Sequence, residues 1–334
     1  MKKRQIIILS AVVGPLLVLA LCGAAYTVLY APVSSIETKG YLFVDGDDNA
    51  DSVRTKVNAG WRYNLLEQRL RYTPRTGRYA IEPGEPLLHF MRKIRNGMQE
   101  PLPLTLPSVR TMDRLAGLLG HTLMMDSAQI IHHLTDSSYL ASHGHTETSL
   151  PSLFLPNTYQ IYWNVSMEGF MKRMKREYDA FWTPQQQQLA ASLGLTPLQV
   201  STLASIVDEE TANDAEKPLI AALYMNRLRK GMLLQADPTV KFALGDFGLR
   251  RILYKHLKTE SPYNTYLHKG LPPGPIRIPT MAALQAVLHP AQHPYLYMCA
   301  KEDFSGTHNF AKTLAEHMRN ARRYQQALNK RKIN

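Results

Sequence analysis

The longest uninterrupted apolar stretch of the chain lies close to its N-terminus. Residues 6–30 carry no charged side chain, and 25 residues extend about 37 Å as a helix. This exceeds the hydrocarbon thickness of a bilayer, about 30 Å, and therefore predicts a transmembrane helix. Three basic residues, Lys2 to Arg4, precede it, so residues 1–5 are predicted to be cytoplasmic and the rest of the chain to lie outside. A cleaved signal peptide and a lipid-modified Cys22 are the alternatives.

Between residues 37 and 140, short segments with strand periodicity alternate with short segments with helical periodicity. Alternation of apolar and polar positions predicts three strands, at residues 41–44, 77–81 and 102–106. Apolar residues at helical spacing predict four helices, at residues 51–59, 61–72, 87–94 and 112–119. This recurrence indicates a small α+β module, which either binds an extended ligand or acts as a spacer.

From residue 150 onward, longer amphipathic helices alternate with loops rich in proline and glycine. Apolar spacing and capping residues predict helices at residues 166–182, 196–210 and 216–230. A hairpin is predicted near the end, with strands at residues 295–300 and 307–310, followed by a last helix. Residues 150–330 therefore predict a second, mixed α+β domain.

One of these helices carries a carboxylate where its apolar stripe requires a core residue. A capping box of Thr196 and Gln199 opens the helix. The stripe that follows consists of Val200, Leu203 and Val207. The next position at helical spacing is Glu210. A carboxyl group on an apolar face is costly to ionise, so its pKa rises, as a general acid at neutral pH requires. The alternative is a buried structural glutamate held by an arginine or by backbone donors.

Three loops after this helix combine aromatic and polar residues. They are Gln235 to Thr239, Ser261 to Tyr266, and Gly270 to Ile276. Proline and glycine restrict these backbones, while the side chains offer aromatic faces and neutral hydrogen-bonding groups. A sugar ring stacks on an aromatic face and its hydroxyls bond to polar groups, so the loops together indicate a saccharide site, although each loop alone is weak evidence.

The distribution of charge along the chain indicates which classes of partner fit it. The chain has 334 residues, of which 45% are hydrophobic and 20% charged, the usage of a globular protein. Its net charge is +12, but the ends before residue 5 and after residue 318 contribute +3 and +6, which leaves +3 for the body. No nucleic-acid partner is predicted, because such proteins typically have a basic face within the fold. Basic ends fit an anionic membrane surface, and a solvated tail explains the C-terminal charges equally well.

No cofactor and no metal site are predicted. The chain has no Walker loop, dinucleotide fingerprint or HExxH motif. Four histidines that lie near one another are irregularly spaced and lack cysteine or carboxylate partners in sequence: His289, His293, His308 and His317. No disulfide is expected between Cys22, within the apolar stretch, and Cys299, within the body.

Seven short segments follow one another in a fixed order between about residues 150 and 325. They are Ala204 to Thr211, Asn226 to Leu228, Gln235 to Thr239, Ser261 to Tyr266, Gly270 to Ile276, Tyr295 to Tyr297, and His308 to Phe310. In this order they resemble the endolytic murein transglycosylases of the YceG-like family. A membrane anchor and a LysM-like module at residues 37–140, ahead of a catalytic domain at 150–330, also fit that family but are less specific.

The resemblance implies an activity, a location and partners. The enzyme would cut the MurNAc–GlcNAc bond within peptidoglycan glycan strands, leave 1,6-anhydroMurNAc ends and terminate elongation of nascent strands. It would sit in the bacterial cytoplasmic (inner) membrane, with a peptidoglycan synthase as a candidate partner. Glu210 would be the catalytic acid and base. The residues implied to contact substrate are Tyr159, Gln235, Asp237, Tyr263, Asn264, Tyr266, His308 and Asn309.

Four positions depart from the family pattern, at Asn157, Asp208, Ile278 and Thr280, where Asp, Glu, Asn and Gly are more usual. Because Glu210 is retained, these departures concern substrate contacts more than activity. Two other functions stay open: a membrane-tethered cell-wall-binding protein without catalysis, and a binder of anionic lipid or nucleic acid. The second rests only on the basic ends of the chain.

Overall fold

The computed structural model describes residues 2–33, 36–249 and 251–331, with side chains described from residue 12 onward. Ser34 and Ser35, in the segment between the apolar stretch and the first strand, and the basic residue Lys332 lie outside the described residues, as do the side chains of Lys2 to Arg4. Within the described residues the chain forms fourteen α-helices and three two-stranded sheets, which confirms a mixed α+β fold.

The apolar N-terminal stretch forms one helix, α1 (Lys2–Tyr30), as predicted. Its segment Val12–Tyr30 has a mean hydropathy of 2.2, and none of that segment is buried within the protein. By length and apolarity this segment could cross a membrane. The rings of Tyr26 and Tyr30 stack at its C-terminal end with centroids 5.3 Å apart, a place where membrane helices commonly carry aromatic anchors.

The chain divides into two compact units. The smaller comprises Met1–Leu104, Thr122–Met125 and Tyr159–Val165. The larger comprises Thr105–His121, Asp126–Thr158 and Ser166–Asn334. Residues 105–121 and 126–140, which the sequence pattern groups with the smaller module, therefore belong to the larger unit by their contacts.

The smaller unit is built on one antiparallel hairpin flanked by short helices. Its elements after α1 are β1 (Gly40–Val44), α2 (Ala50–Val57), α3 (Gly60–Leu70), β2 (Gly77–Ile81) and α4 (Leu87–Arg95). Leu42 lies opposite Tyr79 in the pairing of β1 with β2. Alternate residues of β1 face a core that contains Phe90 and Ile94 of α4. The predicted strands and helices are confirmed here, and a LysM-like relationship stays a prediction.

The remaining elements follow in chain order. They are β3 (Leu102–Leu106), α5 (Met112–Thr122), α6 (Ser127–Thr135), α7 (Ser137–Ser142), β4 (Asn157–Ile161), α8 (Met167–Phe181), α9 (Pro184–Ser192), α10 (Pro197–Glu210), α11 (Lys217–Arg229), α12 (Asp237–Leu244), α13 (Met281–Leu288), β5 (Tyr297–Ala300), β6 (His308–Ala311) and α14 (Leu314–Lys330). β3 pairs with β4, and β5 pairs with β6 as the predicted hairpin.

Helix α10 is the centre of the larger unit. Every residue from Val200 to Val207 is buried, and α11 and α13 pack against it. Its buried Ser205 hydroxyl has two partners: Ser205 Oγ donates to the Thr202 carbonyl at 2.7 Å and accepts from the Ile276 amide at 3.0 Å. The second bond fixes the loop that ends at Ile276 against the helix, because a buried polar group keeps its partners.

Candidate active site

Glu210 is the last residue of α10 and reaches a cavity of about 420 Å³. The capping box of Thr196 and Gln199 opens the helix as predicted. The stripe that leads to Glu210 is fully buried and consists of Val200, Leu203 and Val207. Glu210 itself is half-buried, so the helix delivers a carboxyl group from a dry core into this cavity, called here the Glu210 cavity.

Four helices and one hairpin contribute the wall of the Glu210 cavity. Its lining residues are Glu210, Leu223, Tyr224, Arg227, Leu234, Gln235, Asp237, Tyr266, Tyr297, Met298, Cys299, Ala300, His308, Leu314 and His317. Five of the nine residues predicted from the sequence are among them: Glu210, Gln235, Asp237, Tyr266 and His308. Segments distant in sequence therefore meet around one carboxyl group.

Burial makes Glu210 a weaker acid than an exposed glutamate. Loss of hydration raises its pKa from 4.5 to about 7, and repulsion from Asp237 acts in the same direction. The Tyr224 hydroxyl donates to Glu210 Oε1 at 2.5 Å and partly opposes the rise, because it stabilises the carboxylate. Glu210 also stands at the carboxyl end of α10, where the helix dipole disfavours negative charge. The side chain is therefore divided between its acid and base forms near neutral pH.

A second carboxylate in the cavity, Asp237, is held by a tyrosine. Asp237 is the first residue of α12, and the Tyr266 hydroxyl donates to its Oδ1 at 2.6 Å. Burial and the bond to Asp237 both raise the pKa of Tyr266, so its hydroxyl remains a donor at neutral pH. The cavity thus contains one carboxyl group poised to exchange a proton and another held by a phenol.

His308 is oriented by a buried glutamate. Its backbone amide donates to Glu216 Oε1 at 2.7 Å, and its Nδ1 lies 2.8 Å from Glu216 Oε2. An ionised carboxylate only accepts hydrogen bonds, so Nδ1 carries a hydrogen and Nε2 is left for other contacts. Glu216 is buried, which fixes the ring at the start of β6.

Gln235 is held in place by a buried arginine. The Arg227 guanidinium donates to the carbonyls of Leu233 at 2.9 Å and Leu296 at 3.0 Å, and to Gln235 Oε1 at 2.5 Å. Gln235 has a φ of 53°, in the left-handed region, and its amide donates to the Thr265 carbonyl at 3.1 Å. Because both its backbone and its side chain are bonded, Gln235 has a fixed position at the cavity wall.

Comparisons with known proteins identify the family of the chain. The model of the YceG-like family matches residues 49–323, most of the chain. The chain belongs to the YceG-like family. It is 29% identical over 264 residues to an endolytic murein transglycosylase of Bacillus subtilis (strain 168), covering 74% of this chain and 72% of that protein.

Two further relatives extend the comparison. The chain is 25% identical over 295 residues to an endolytic murein transglycosylase of Streptococcus pneumoniae serotype 2, covering 79% of this chain. It spans about half of that longer protein, 53%. A crystal structure of a YceG-like protein from Listeria monocytogenes superposes with a TM-score of 0.57 at 25% identity, covering 85% of this chain and 99% of the other.

Four residues predicted to contact substrate lie outside the lining of the Glu210 cavity in this YceG-like protein. Asn264 is fully buried, and its amide donates to the carbonyls of Leu257 at 3.0 Å and Thr259 at 2.8 Å. Asn309 donates to Glu302 Oε2 at 2.7 Å. Tyr159 is buried within the smaller unit, and Tyr263 packs on Phe242 and lines a different cavity. Their contact with substrate stays a prediction; Asn264 has an evident structural role.

Sequence reasoning missed several residues that line the Glu210 cavity. Tyr224 and Arg227 stand three residues apart on α11, and Tyr297, Cys299 and His317 come from the hairpin and α14. The available signal was their spacing on the helix, and Arg227 also belongs to the segment from Asn226 to Leu228 that carries the family resemblance. No such periodic signal marks the other three residues, which reach the cavity through tertiary packing.

Two departures from the family pattern contact each other. Asp208 accepts from the Thr280 amide at 2.6 Å and from the Thr280 hydroxyl at 2.7 Å, and it pairs with buried Lys217 at 2.8 Å. Thr280 is the N-cap residue of α13. Its hydroxyl donates to the shorter Asp208 side chain, and a glycine at this position would have no hydroxyl to donate. The third departure, Ile278, is fully buried. Asn157 accepts from the Thr158 amide at 2.8 Å.

Glu209 is turned away from the Glu210 cavity. It accepts two bonds from Arg110, at 2.6 and 2.8 Å, and one from Arg277 at 2.9 Å. These bonds make it a structural ion-pair residue. Among the described residues, no group of three or more His, Cys, Asp or Glu side chains is placed to hold a metal ion.

Proposed function

We propose that this protein is a membrane-anchored lytic transglycosylase that cuts peptidoglycan glycan strands internally, between MurNAc and GlcNAc. Membership of the YceG-like family and two relatives named endolytic murein transglycosylases support this activity. The observation that carries it is Glu210, a half-buried carboxyl group in a cavity with a pKa raised to about 7. Such a group can both give and accept a proton at neutral pH.

In the first step, protonated Glu210 gives its proton to the glycosidic oxygen as the bond from MurNAc C1 breaks, which releases the O4 hydroxyl of GlcNAc. In the second step, the Glu210 carboxylate takes the proton of the muramyl C6 hydroxyl while that oxygen bonds to C1. The product is a 1,6-anhydro ring, and no water is consumed. Because the nucleophile belongs to the same sugar, it has the proximity advantage of an intramolecular reaction.

The neighbours of Glu210 support both steps. Asp237, which stays near the cavity wall through its 2.6 Å bond from Tyr266, supplies negative charge where C1 becomes positive. Tyr224 holds Glu210 Oε1 in one orientation through its 2.5 Å bond. Gln235 and His308 offer an amide and an imidazole nitrogen to sugar hydroxyls. Two carboxylates also serve ordinary glycosidases, which consume one water for each bond they cut, so the product has to be determined.

We also propose how the protein is placed. Residues 6–30 would anchor it in the cytoplasmic membrane with residues 1–5 inside, and the domain at 150–330 outside, where peptidoglycan lies. The module at 37–140, LysM-like by resemblance, would position glycan, and cutting near the membrane would terminate nascent strands beside a synthase. A reporter fused after Asn334 should be active only if it works outside the cytoplasm; strong cytoplasmic activity contradicts this topology.

The proposed reaction is tested by the fate of solvent oxygen. Purified peptidoglycan is digested with the full-length protein in water enriched in ¹⁸O, and the new ends are analysed by mass spectrometry. Anhydro ends without ¹⁸O are expected. Reducing ends that carry ¹⁸O would show hydrolysis, and strands that stay uncut would favour the alternative, a membrane-tethered glycan-binding protein without catalysis.

A further inference from the structure

The larger unit contains a second cavity, of about 440 Å³, which the mechanism above does not use. We name it the Tyr263 cavity. Its wall combines the aromatic rings of Tyr263 and Phe242 with the carboxylates of Asp113 and Glu147. Arg110 also lines it, but its guanidinium is bonded to Glu209. An apolar face beside a few hydrogen-bonding groups is the usual composition of a small-molecule site.

The aromatic part of this cavity is fixed by packing. The rings of Tyr263 and Phe242 lie 4.6 Å apart at 48°, and both side chains pack against the core around α10. A ring held in this way offers its exposed face to a ligand without losing rotamer freedom on binding. Burial and the nearby Glu147 carboxylate raise the pKa of the Tyr263 hydroxyl, which therefore remains a donor.

Another part of the wall is built on one close backbone approach. A Cβ atom on Gly274 would lie 2.0 Å from the carbonyl oxygen of Thr148, so only glycine permits this contact. The contact places Pro275 beside Thr148, and both residues line the Tyr263 cavity. The Gly270 to Ile276 loop thus builds this cavity rather than the Glu210 cavity.

Two connections join the Tyr263 cavity to the catalytic residue. Helix α12 carries Asp237 in the Glu210 cavity and Phe242 in the Tyr263 cavity, about 7.5 Å further along the helix axis and about 140° round it. Arg110 lines the Tyr263 cavity and bonds to Glu209, the neighbour of Glu210. The side chains of Asp237 and Phe242 therefore point to different sides of α12, and an extended polymer fills both cavities only by passing round this helix.

We propose that the Tyr263 cavity binds a sugar unit of the same glycan strand, remote from the bond that is cut. The inference rests on the proposed function. The Tyr263 cavity would be the place where binding depends on the length of the strand. Asp113 and Glu147 disfavour the carboxylates of stem peptides and the lactyl carboxylate that peptide-free MurNAc carries, so the ligand is GlcNAc, the neutral sugar of the strand. A strand that fills both cavities then binds better than a fragment that fills only the Glu210 cavity.

The test measures binding without cleavage. The full-length protein carrying Glu210→Gln is titrated with peptide-free glycan strands of defined length. Tyr263→Ala and the double change Asp113→Ala/Glu147→Ala are each added to this background. Tyr254→Ala is the matched control, because Tyr254 is an exposed tyrosine outside both cavities. Long strands should bind Tyr263→Ala roughly tenfold more weakly, and fragments of one disaccharide should bind it within about twofold of the parent.

Each outcome decides one claim. Equal binding of long strands to the parent and to a folded Tyr263→Ala variant overturns the proposal, as does binding that requires stem peptides. If circular dichroism shows that Tyr263→Ala is misfolded, the variant lacking the exposed carboxylates of Asp113 and Glu147 decides the matter: it should bind strands that retain stem peptides more tightly than the parent does, and unchanged binding overturns the proposal. Strands that fail to bind the Glu210→Gln parent at all, or that it still cuts, contradict the proposed function instead.

Discussion

Replacing Glu210 by glutamine is expected to stabilise the protein at alkaline pH while changing its stability little at acid pH. In the folded protein the pKa of Glu210 is raised from 4.5 to about 7, so ionisation is more costly there than in the unfolded chain. The stability associated with the protonated group is complete below pH 4.5 and is lost as the pH rises through 7. At about 1.4 kcal/mol per pKa unit, the shift corresponds to ~3 kcal/mol as an upper bound.

Glutamine keeps the shape of the side chain and the acceptor for the Tyr224 hydroxyl, so it removes this cost without creating a cavity. Thermal unfolding of the full-length variant and parent at pH 5 and pH 8.5 measures the effect. The variant should unfold about 5 °C higher than the parent at pH 8.5 and within about 2 °C at pH 5. The exposed Glu37→Gln is the control. A gain that is equal at both pH values, or larger at pH 5, refutes the desolvation argument.

Three further changes test the neighbours of Glu210. Tyr224→Phe removes the bond that lowers the Glu210 pKa, so the alkaline limb of the kcat/KM profile should move up by about one pH unit; movement downward contradicts this assignment. Glu209→Gln leaves Arg110 and Arg277 without their shared carboxylate and should lower the free energy of unfolding, measured in urea, by about 2 kcal/mol. An unchanged unfolding midpoint would show that the ion pairs contribute nothing. Asp208→Asn should cost about 3 kcal/mol, because Lys217 then loses its buried carboxylate partner and keeps only the exposed Asp214. Asp214→Asn should cost less than 1 kcal/mol, and equal losses would contradict the importance of burial.

Local patterns predicted the part of the site that depends on one helix. The capping box at Thr196, the stripe ending at Val207 and the position of Glu210 all follow from helical periodicity, and each is found as expected. The β5–β6 hairpin follows from alternation in the same way. These features depend on residues close in sequence, so they can be derived without knowledge of the fold.

The roles of polar residues in loops could not be derived in this way. Asn264 and Tyr266 stand in one polar cluster, yet Asn264 is buried and holds its own loop, whereas Tyr266 faces the Glu210 cavity. Composition is the same in both cases, and only tertiary packing decides which side chain points inward. The same limit applies to Asp237, which was expected in a polar loop and instead opens helix α12 with Pro238 in its first turn.

The most direct test of the account compares anhydro ends released by Glu210→Gln and Glu209→Gln. Both changes remove one carboxylate from the end of α10, but only Glu210 lines the cavity, while Glu209 is bonded to Arg110 and Arg277. Mass spectrometry of digested glycan is carried out below the unfolding temperature, with circular dichroism confirming that both variants are folded. Glu210→Gln should release no anhydro ends, and Glu209→Gln should retain much of the parent yield. Near-parental yield from Glu210→Gln would contradict the assignment of Glu210 as the catalytic acid and base.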